Sequence, residues 1–199
     1  MKRILLGIFL FILSVCSAPT LRAQDFYVGL NAMQLANLGT MDFSFGVVVA
    51  RHWSLDANVR LNLWQFGKID ESAKYETIVS DINKTFFNKR ESGALGIRFW
   101  PWYSLSGFWI GARGQVAAYD RGGWIYKERH KGVAYGGCLG AGWSWMINPH
   151  LNLDFGAYGW AGKYKGRTYE DLYHTNRATD EEGRFITLDE IIIGIVYVF

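Results

Sequence analysis

Trp53-Ser54-Leu55-Asp56-Ala57-Asn58-Val59-Arg60-Leu61-Asn62-Leu63-Trp64-Gln65-Phe66 alternates apolar and polar residues with a clear register. Trp53, Leu55, Ala57, Val59, Leu61 and Leu63 face one way, and Ser54, Asp56, Asn58, Arg60, Asn62 and Trp64 the other. Successive side chains of an extended chain point to opposite sides, so a period of two predicts a strand with two chemically distinct faces. The same period runs through Phe26, Val28, Leu30 and Ala32, through Met41, Phe43, Phe45, Val47 and Val49, and through Leu95, Ile97 and Phe99. It continues in Phe108, Ile110, Ala112 and Val116, in Val133, Tyr135, Leu139, Ala141, Trp143 and Trp145, in Leu151, Leu153, Phe155 and Ala157, and in the last residues of the chain. About eight strands of roughly ten residues follow, the length that a tilted membrane strand requires.

Alternation alone fits a soluble barrel as well as a membrane one, so the polar face has to decide. Water-facing strand positions normally carry Lys and Glu. Here Lys68, Lys74, Lys84, Lys89, Lys127, Lys131 and Lys165 fall in the expected loops and Lys163 at a strand end. The polar face holds Gly, Ala, Ser and Asn, an occasional Arg or Asp, and the rings Trp64, Trp100, Trp109, Tyr119, Tyr158 and Trp160. That is the composition of a crowded interior. The expected fold is all-β, an eight-stranded antiparallel up-and-down transmembrane β-barrel with apolar side chains toward lipid.

Connection lengths agree, because outer-membrane barrels pair short periplasmic turns with longer outer loops. Ala50-Arg51-His52, Pro101 to Ser106 and Ile147-Asn148-Pro149-His150 are the short set. Asn37-Leu38-Gly39-Thr40, Gly67 to Lys89, Asp120 to Gly132 and Lys165 to Arg184 are the outer set, which places both termini of the barrel in the periplasm. Trp53, Trp102, Tyr103, Trp143, Trp145 and Tyr197 fall near the periplasmic rim, where amphipathic rings favour the headgroup zone.

The ends of the chain point to the same compartment. Lys2 and Arg3, the apolar run Ile4 to Val15 and then Leu21-Arg22-Ala23 read as a signal peptide over residues 1–23, with the barrel domain over residues 24–199. A lipoprotein signal at Cys16 is the rival, opposed by Val15 where a small residue is expected. Loss of Lys2, Arg3 and Arg22 takes the 21 basic residues to 18, equal to the 18 acidic ones. A neutral mature chain gives no case for nucleic-acid binding. Cys138 is then a single thiol, read as a small apolar filler. The closing run Ile191 to Phe199 is uncharged, and its Ile195, Tyr197 and Phe199 resemble the signal read by the outer-membrane insertion machinery. It is expected to pair with the strand beginning near Phe26, since open sheet edges are not tolerated in lipid.

The stretches from Asn31 through His52-Trp53-Ser54 to Trp64, from Gly96-Ile97-Arg98-Phe99-Trp100 to Tyr119, and from Gly132 through Trp143 to Tyr164 resemble the domain of unknown function 3575 family, as does the ending Ile195-Val196-Tyr197-Val198-Phe199. The resemblance covers most of the mature chain. It implies the outer membrane of Bacteroidetes, a β-barrel and, through members encoded near fimbrial genes, a connection with fimbrial or other cell-surface assembly. It supplies no catalytic residue.

By parity Asp42, Asp56, Arg60, Arg98, Arg113, Asp154 and Glu190 point into the lumen, where ions must be paired or watered. Asp56 and Arg98 lie at similar depth on neighbouring strands and are expected to pair, with Arg60, Arg113 and Glu190 nearer mid-depth. Such a network either plugs the barrel or lines a narrow channel; an eight-stranded interior is just wide enough for side chains, which favours the plug.

Catalysis finds little support. His52 and His150 fall in short turns, His130 and His174 in outer loops. A lipid A deacylase pattern needs a strand-borne histidine with a serine two residues on, and neither His130-Lys131-Gly132 nor His150-Leu151-Asn152 has one. Glu128 with His130, or Asp171 with His174, could form acid-base pairs, and read more simply as solvated loop charge. Asp180-Glu181-Glu182 lacks the ligand spacing of a calcium loop, and Gly136-Gly137, Gly140 and Gly142 lie in a strand with no helix to cradle phosphate. No cofactor and no metal is implied.

Arg121, Trp124, Tyr126, Tyr164, Arg167, Tyr169 and Tyr173 remain, placing guanidinium and aromatic groups in the outer loops as a candidate surface for a protein or glycan. Tyr75, Ile78, Val79, Ile82 and Phe86 have a helical spacing that would suit a lid over the mouth. The expected role is a structural or surface-interaction protein in contact with outer-membrane lipid. A lipid-modifying enzyme acting on lipid A acyl chains, and a narrow channel, are the alternatives.

Overall fold

The computed structural model describes residues 26–36, 39–66, 86–123, 128–169 and 178–199. The signal segment, Trp124, Tyr126, Tyr173, His174 and the lid residues Tyr75, Ile78, Val79 and Ile82 lie outside them.

The chain is all-β. Eight antiparallel strands run up and down in sequence order: β1 Phe26–Asn31, β2 Met41–Ala50, β3 Trp53–Asn62, β4 Phe86–Phe99, β5 Gly107–Gly123, β6 Arg129–Asn148, β7 Leu151–Tyr169 and β8 Ala178–Val198. Gln65–Phe66 continues β3 after a break and pairs with β4. Each strand pairs with its sequence neighbours, and β1 pairs with β8 through Tyr27↔Val198 to Asn31↔Gly194, so the sheet closes on itself. Phe199 N donates to Phe26 O at 2.9 Å and seals the seam.

The alternation places the apolar set outside. Leu30, Leu55, Val59, Leu95, Leu139, Ile193 and Ile195 are exposed, whereas Ser54, Asp56, Asn58, Arg60 and Asn62 on β3 are buried. The barrel is inside-out, with a polar core and an apolar coat. Ile195, Tyr197 and Phe199 belong to that coat.

The strands are far from uniform. β1 to β3 have 6, 10 and 10 residues, while β5 to β8 have 17, 20, 19 and 21. Three of the expected loops therefore shrink. β4 begins at Phe86, β5 and β6 remain paired out to Arg121↔His130, and β7 and β8 out to Tyr169↔Ala178. Lys89, Lys131 and Lys165 consequently sit on strands, Lys163 lies well inside β7, and Phe86 is a strand residue. Backbone pairing persists there because a ladder needs no apolar face once the sheet is nucleated.

Two further departures are local. Ala32 does not extend β1 but opens a short helix α1, Ala32–Ala36. Asn31 Oδ1 accepts from Met33 N at 3.2 Å as its N-cap, and Gly39, at φ 71°, ends it with N donating to Leu35 O at 2.8 Å. Trp64 is not in the lumen: it lies past the end of β3, half exposed, with Nε1 donating to Gly39 O at 3.1 Å.

The end of the barrel with the short turns is sealed from below. The 101–106 turn tucks inward, with Leu105 buried at φ 65° and its carbonyl accepting from Asn152 Nδ2 at 2.7 Å. Ser104 Oγ donates to Arg51 O at 2.8 Å and ties this turn to the one after β2.

Candidate functional site

The lumen is built in layers from the turn end upward. Trp100 Nε1 donates to Ser54 Oγ at 3.0 Å at the bottom. Above it Trp109 Nε1 and Arg98 Nη1 each donate to a different oxygen of Asp154, both at 2.9 Å, and the Arg98 guanidinium lies 4.4 Å from the Trp109 ring centre. Asp56 Oδ1 faces Arg98 Nε at 3.7 Å, a charge pair without a hydrogen bond. The expected Asp56–Arg98 juxtaposition is present, and Asp154 is the closer partner.

The next layer centres on Tyr158, whose ring lies 3.9 Å from the Arg113 guanidinium and 5.5 Å from Trp109. Bare backbone at Gly140 and Gly142 makes room for the rings of Tyr158 and Trp109; a Cβ at either position would collide with them. Arg113 Nη2 donates to Glu190 Oε2 at 2.5 Å. Asn31 Nδ2 spans Glu190 Oε1 at 3.1 Å and Asp42 Oδ2 at 3.3 Å, and Asn58 Nδ2 donates to Asp42 Oδ1.

One residue that parity assigns to the exterior completes the network. Tyr158 pairs with Glu190 and Gly159 with Leu188, so Asp189 is the extra residue of a β-bulge in β8. Its side chain turns inward and is fully enclosed. It accepts from Arg60 at 2.6 Å, Arg113 at 3.0 Å, Arg90 at 2.8 Å and Gln115 Nε2 at 3.0 Å. The signal was a slip in phase: outward residues run Ile191, Ile193 and Ile195 on one side, and Ile186 and Leu188 on the other.

Charge-assisted hydrogen bonds of this density offset the desolvation of buried ions only when nearly every group is matched. The lumen sets Asp42, Asp56, Asp154, Asp189 and Glu190 against Arg60, Arg98, Arg113 and the half-buried Arg90, and leaves Asp56 Oδ1, Arg98 Nε and Arg113 Nε without a hydrogen bond. A cavity of about 20 Å³ touches Asp42, Ser44, Asn58, Arg98, Asp154 and Glu190, the room of roughly one water molecule. Toward the far end Trp160 packs on Phe185 at 4.7 Å, and Tyr164 lies beyond it.

Of the expected surface residues, Arg121, Tyr164, Arg167 and Tyr169 lie among the described ones. Tyr164 points inward toward Phe185, and the Arg121 guanidinium lies 5.7 Å from the Tyr119 ring. Arg167 and Tyr169 share the outer wall, where Arg167 Nε donates to Asp180 Oδ1 at 2.8 Å.

His52 and His150 serve the backbone. His52 Nδ1 lies 2.8 Å from Trp100 O, and His150 Nδ1 lies 2.9 Å from Val198 O. His130 comes nearest to a catalytic arrangement, with Nδ1 2.9 Å from Thr168 Oγ1 and Nε2 3.9 Å from Glu128 Oε2. Thr168 is buried, and the carboxylate stands beyond hydrogen-bond reach, so the group lacks an accessible, oriented nucleophile. No metal-binding cluster occurs among the described residues.

A family model described as protein of unknown function (DUF3575) matches residues 8–199. No curated protein and no solved structure matches the chain.

Proposed function

The chain belongs to the DUF3575 family, and from that premise we propose that it is a closed outer-membrane barrel with a structural or surface-interaction role, presenting paired hairpins above the outer leaflet. Both ends of the barrel sheet face the periplasm, and residues 1–23 serve as the export signal. Fimbrial or other cell-surface assembly is the context that the family resemblance offers.

The observation that carries the reading is the inverted barrel with its unequal walls. An apolar exterior around a core of paired ions suits lipid and would be costly in water. From Leu151 to Ala161 the outward residues of β7 are apolar or glycine, ten residue steps that span about 25 Å at a membrane tilt. β7 then continues from Lys163 to Tyr169, and β8 runs alongside it, about 20 Å of strand beyond that belt. The packed lumen argues against a channel. Extended hairpins with Arg167 and Tyr169 on their outer wall supply a contact surface.

A photo-crosslinking residue at Arg167 in intact cells tests the role. The expected adduct is with a surface macromolecule, while the same probe at Leu139 captures only lipid. Absence of any adduct at Arg167, together with altered lipid A acylation in a deletion strain, would replace this reading with the lipid-modifying enzyme.

A further inference from the structure

Three successive outward rungs join β7 to β8 above the apolar belt. Arg167 faces Asp180 at 2.8 Å, and Lys165 faces Glu182 at 3.3 Å. The third rung, next to the belt, sets Lys163 directly opposite Arg184. Both are exposed, and neither has an acidic partner among the described residues. Like charges at directly opposed strand positions destabilise a sheet, whereas the two rungs above are each matched. Tyr135 of β6 extends the same row beside Lys163 and is half exposed.

Directly beneath lies an open groove of about 810 Å³ on the outer wall. Leu95, Leu139 and Ile186 form its sides; Gly114, Gly137 and Ala161 lie along its floor, one rung below the cationic pair. A Cβ added at Gly114 or Gly137 would meet nothing within 4 Å, so the depression is not filled from within the barrel. Its size lies in the range of ligand clefts. A cationic rung above an apolar trough is complementary to a molecule with a phosphate at one end and acyl chains at the other.

We infer that Lys163 and Arg184 hold the phosphate of an outer-leaflet glycolipid of the lipid A class, with one acyl chain along the Gly114–Gly137–Ala161 floor and Tyr135 at the headgroup boundary. The inference rests on the outer-membrane reading above. The lipid phosphate supplies the counter-charge that the upper rungs obtain from Asp180 and Glu182, so that the bound lipid becomes part of the barrel wall.

The test compares the full-length mature chain, purified from membranes, in phosphatidylcholine vesicles with and without diphosphoryl lipid A. Wild type should retain lipid A about thirtyfold more tightly than K163Q/R184Q, each cation near an anionic surface contributing about fivefold. In plain phosphatidylcholine the double variant should be as stable as wild type or more so, because only repulsion has been removed. Gly137→Phe should weaken retention while leaving the cations in place, and K165Q/E182Q should retain lipid A as wild type does. Equal retention by wild type and K163Q/R184Q would overturn the inference. So would inorganic phosphate displacing the lipid with no effect of Gly137→Phe, or a dimer lost on Gly137→Phe without any lipid dependence, which would assign the groove to a second copy. A chain that fails to enter either vesicle contradicts the membrane reading itself; one that enters both without lipid preference overturns this inference alone.

Discussion

Asp189 Oδ2 lies 2.6 Å from Arg60 Nη2, across the lumen from a strand 129 residues away in sequence. The contact exists because the bulge opposite Tyr158 and Gly159 lets Asp189 and Glu190, consecutive residues, both turn inward. Arg60, Arg90 and Arg113 converge on this one carboxylate.

Replacing Asp189 by Ala should destabilise the barrel by about 3–5 kcal/mol, since it leaves buried guanidiniums without their shared anion. Arg90→Gln should cost no more than about 1 kcal/mol, because that side chain keeps substantial contact with solvent. Denaturant unfolding in detergent micelles, followed by tryptophan fluorescence, would rank the two. Equal midpoints for wild type and Asp189→Ala would show that the convergence contributes nothing.

Glycines on opposite faces of the wall should respond oppositely. Gly140→Val places a side chain against the Tyr158 ring and the Ala157 backbone, and is expected to cost about 1–3 kcal/mol or more. Gly114→Val faces open space outside and should change stability by less than about 0.5 kcal/mol. The same unfolding assay reads both.

The closed lumen predicts electrical silence. Wild-type barrel in a planar bilayer should give no large stable conductance, whereas simultaneous replacement of Trp100, Trp109 and Tyr158 by alanine should open a path through the lower half. Stable wild-type conductance would revive the channel.

Phe199 N bonds to Phe26 O, and its ring lies 5.1 Å from Tyr197 on the outer face. Removing Phe199 should slow assembly, seen as a larger fraction of unfolded chain on a heat-modifiability gel, with little change in the stability of molecules that do fold. Normal assembly kinetics would remove the insertion role from this residue.

Much of the barrel was legible because alternation reports which face meets which environment, and Trp53 to Asn62 shows it without interruption. The legible part ended where that signal ends. Beyond the belt, both faces of β6, β7 and β8 carry polar residues, so Lys131, Lys165 and Glu182 read as loop although the ladder continues through them. Helix α1 went unread because Ala32 fitted the strand phase, yet Asn31 followed by Ala-Met-Gln-Leu-Ala is a capped run of helix-favouring residues. Parity carried back from Phe199 puts Asp189 outward, because it passes through a bulge. Unbroken parity likewise puts Trp64 inward, although it stands two residues after the strand stops. Tyr164 departs from the expected surface for a related reason: position along a loop says nothing about whether Tyr164 or Arg167 faces the interior.

The central claim is the inverted barrel in lipid, and site-directed fluorophore labelling along Leu151 to Arg167 in vesicles tests it most directly. Quenching by lipid-borne bromine should alternate with period two, strong at Leu153, Phe155, Ala157 and Ala161 and weak at Asn152, Asp154 and Tyr158. At Lys165 and Arg167 it should give way to quenching by aqueous iodide. Iodide quenching at Leu153, Phe155 and Ala157, with bromine quenching absent along the whole strand, would contradict the account.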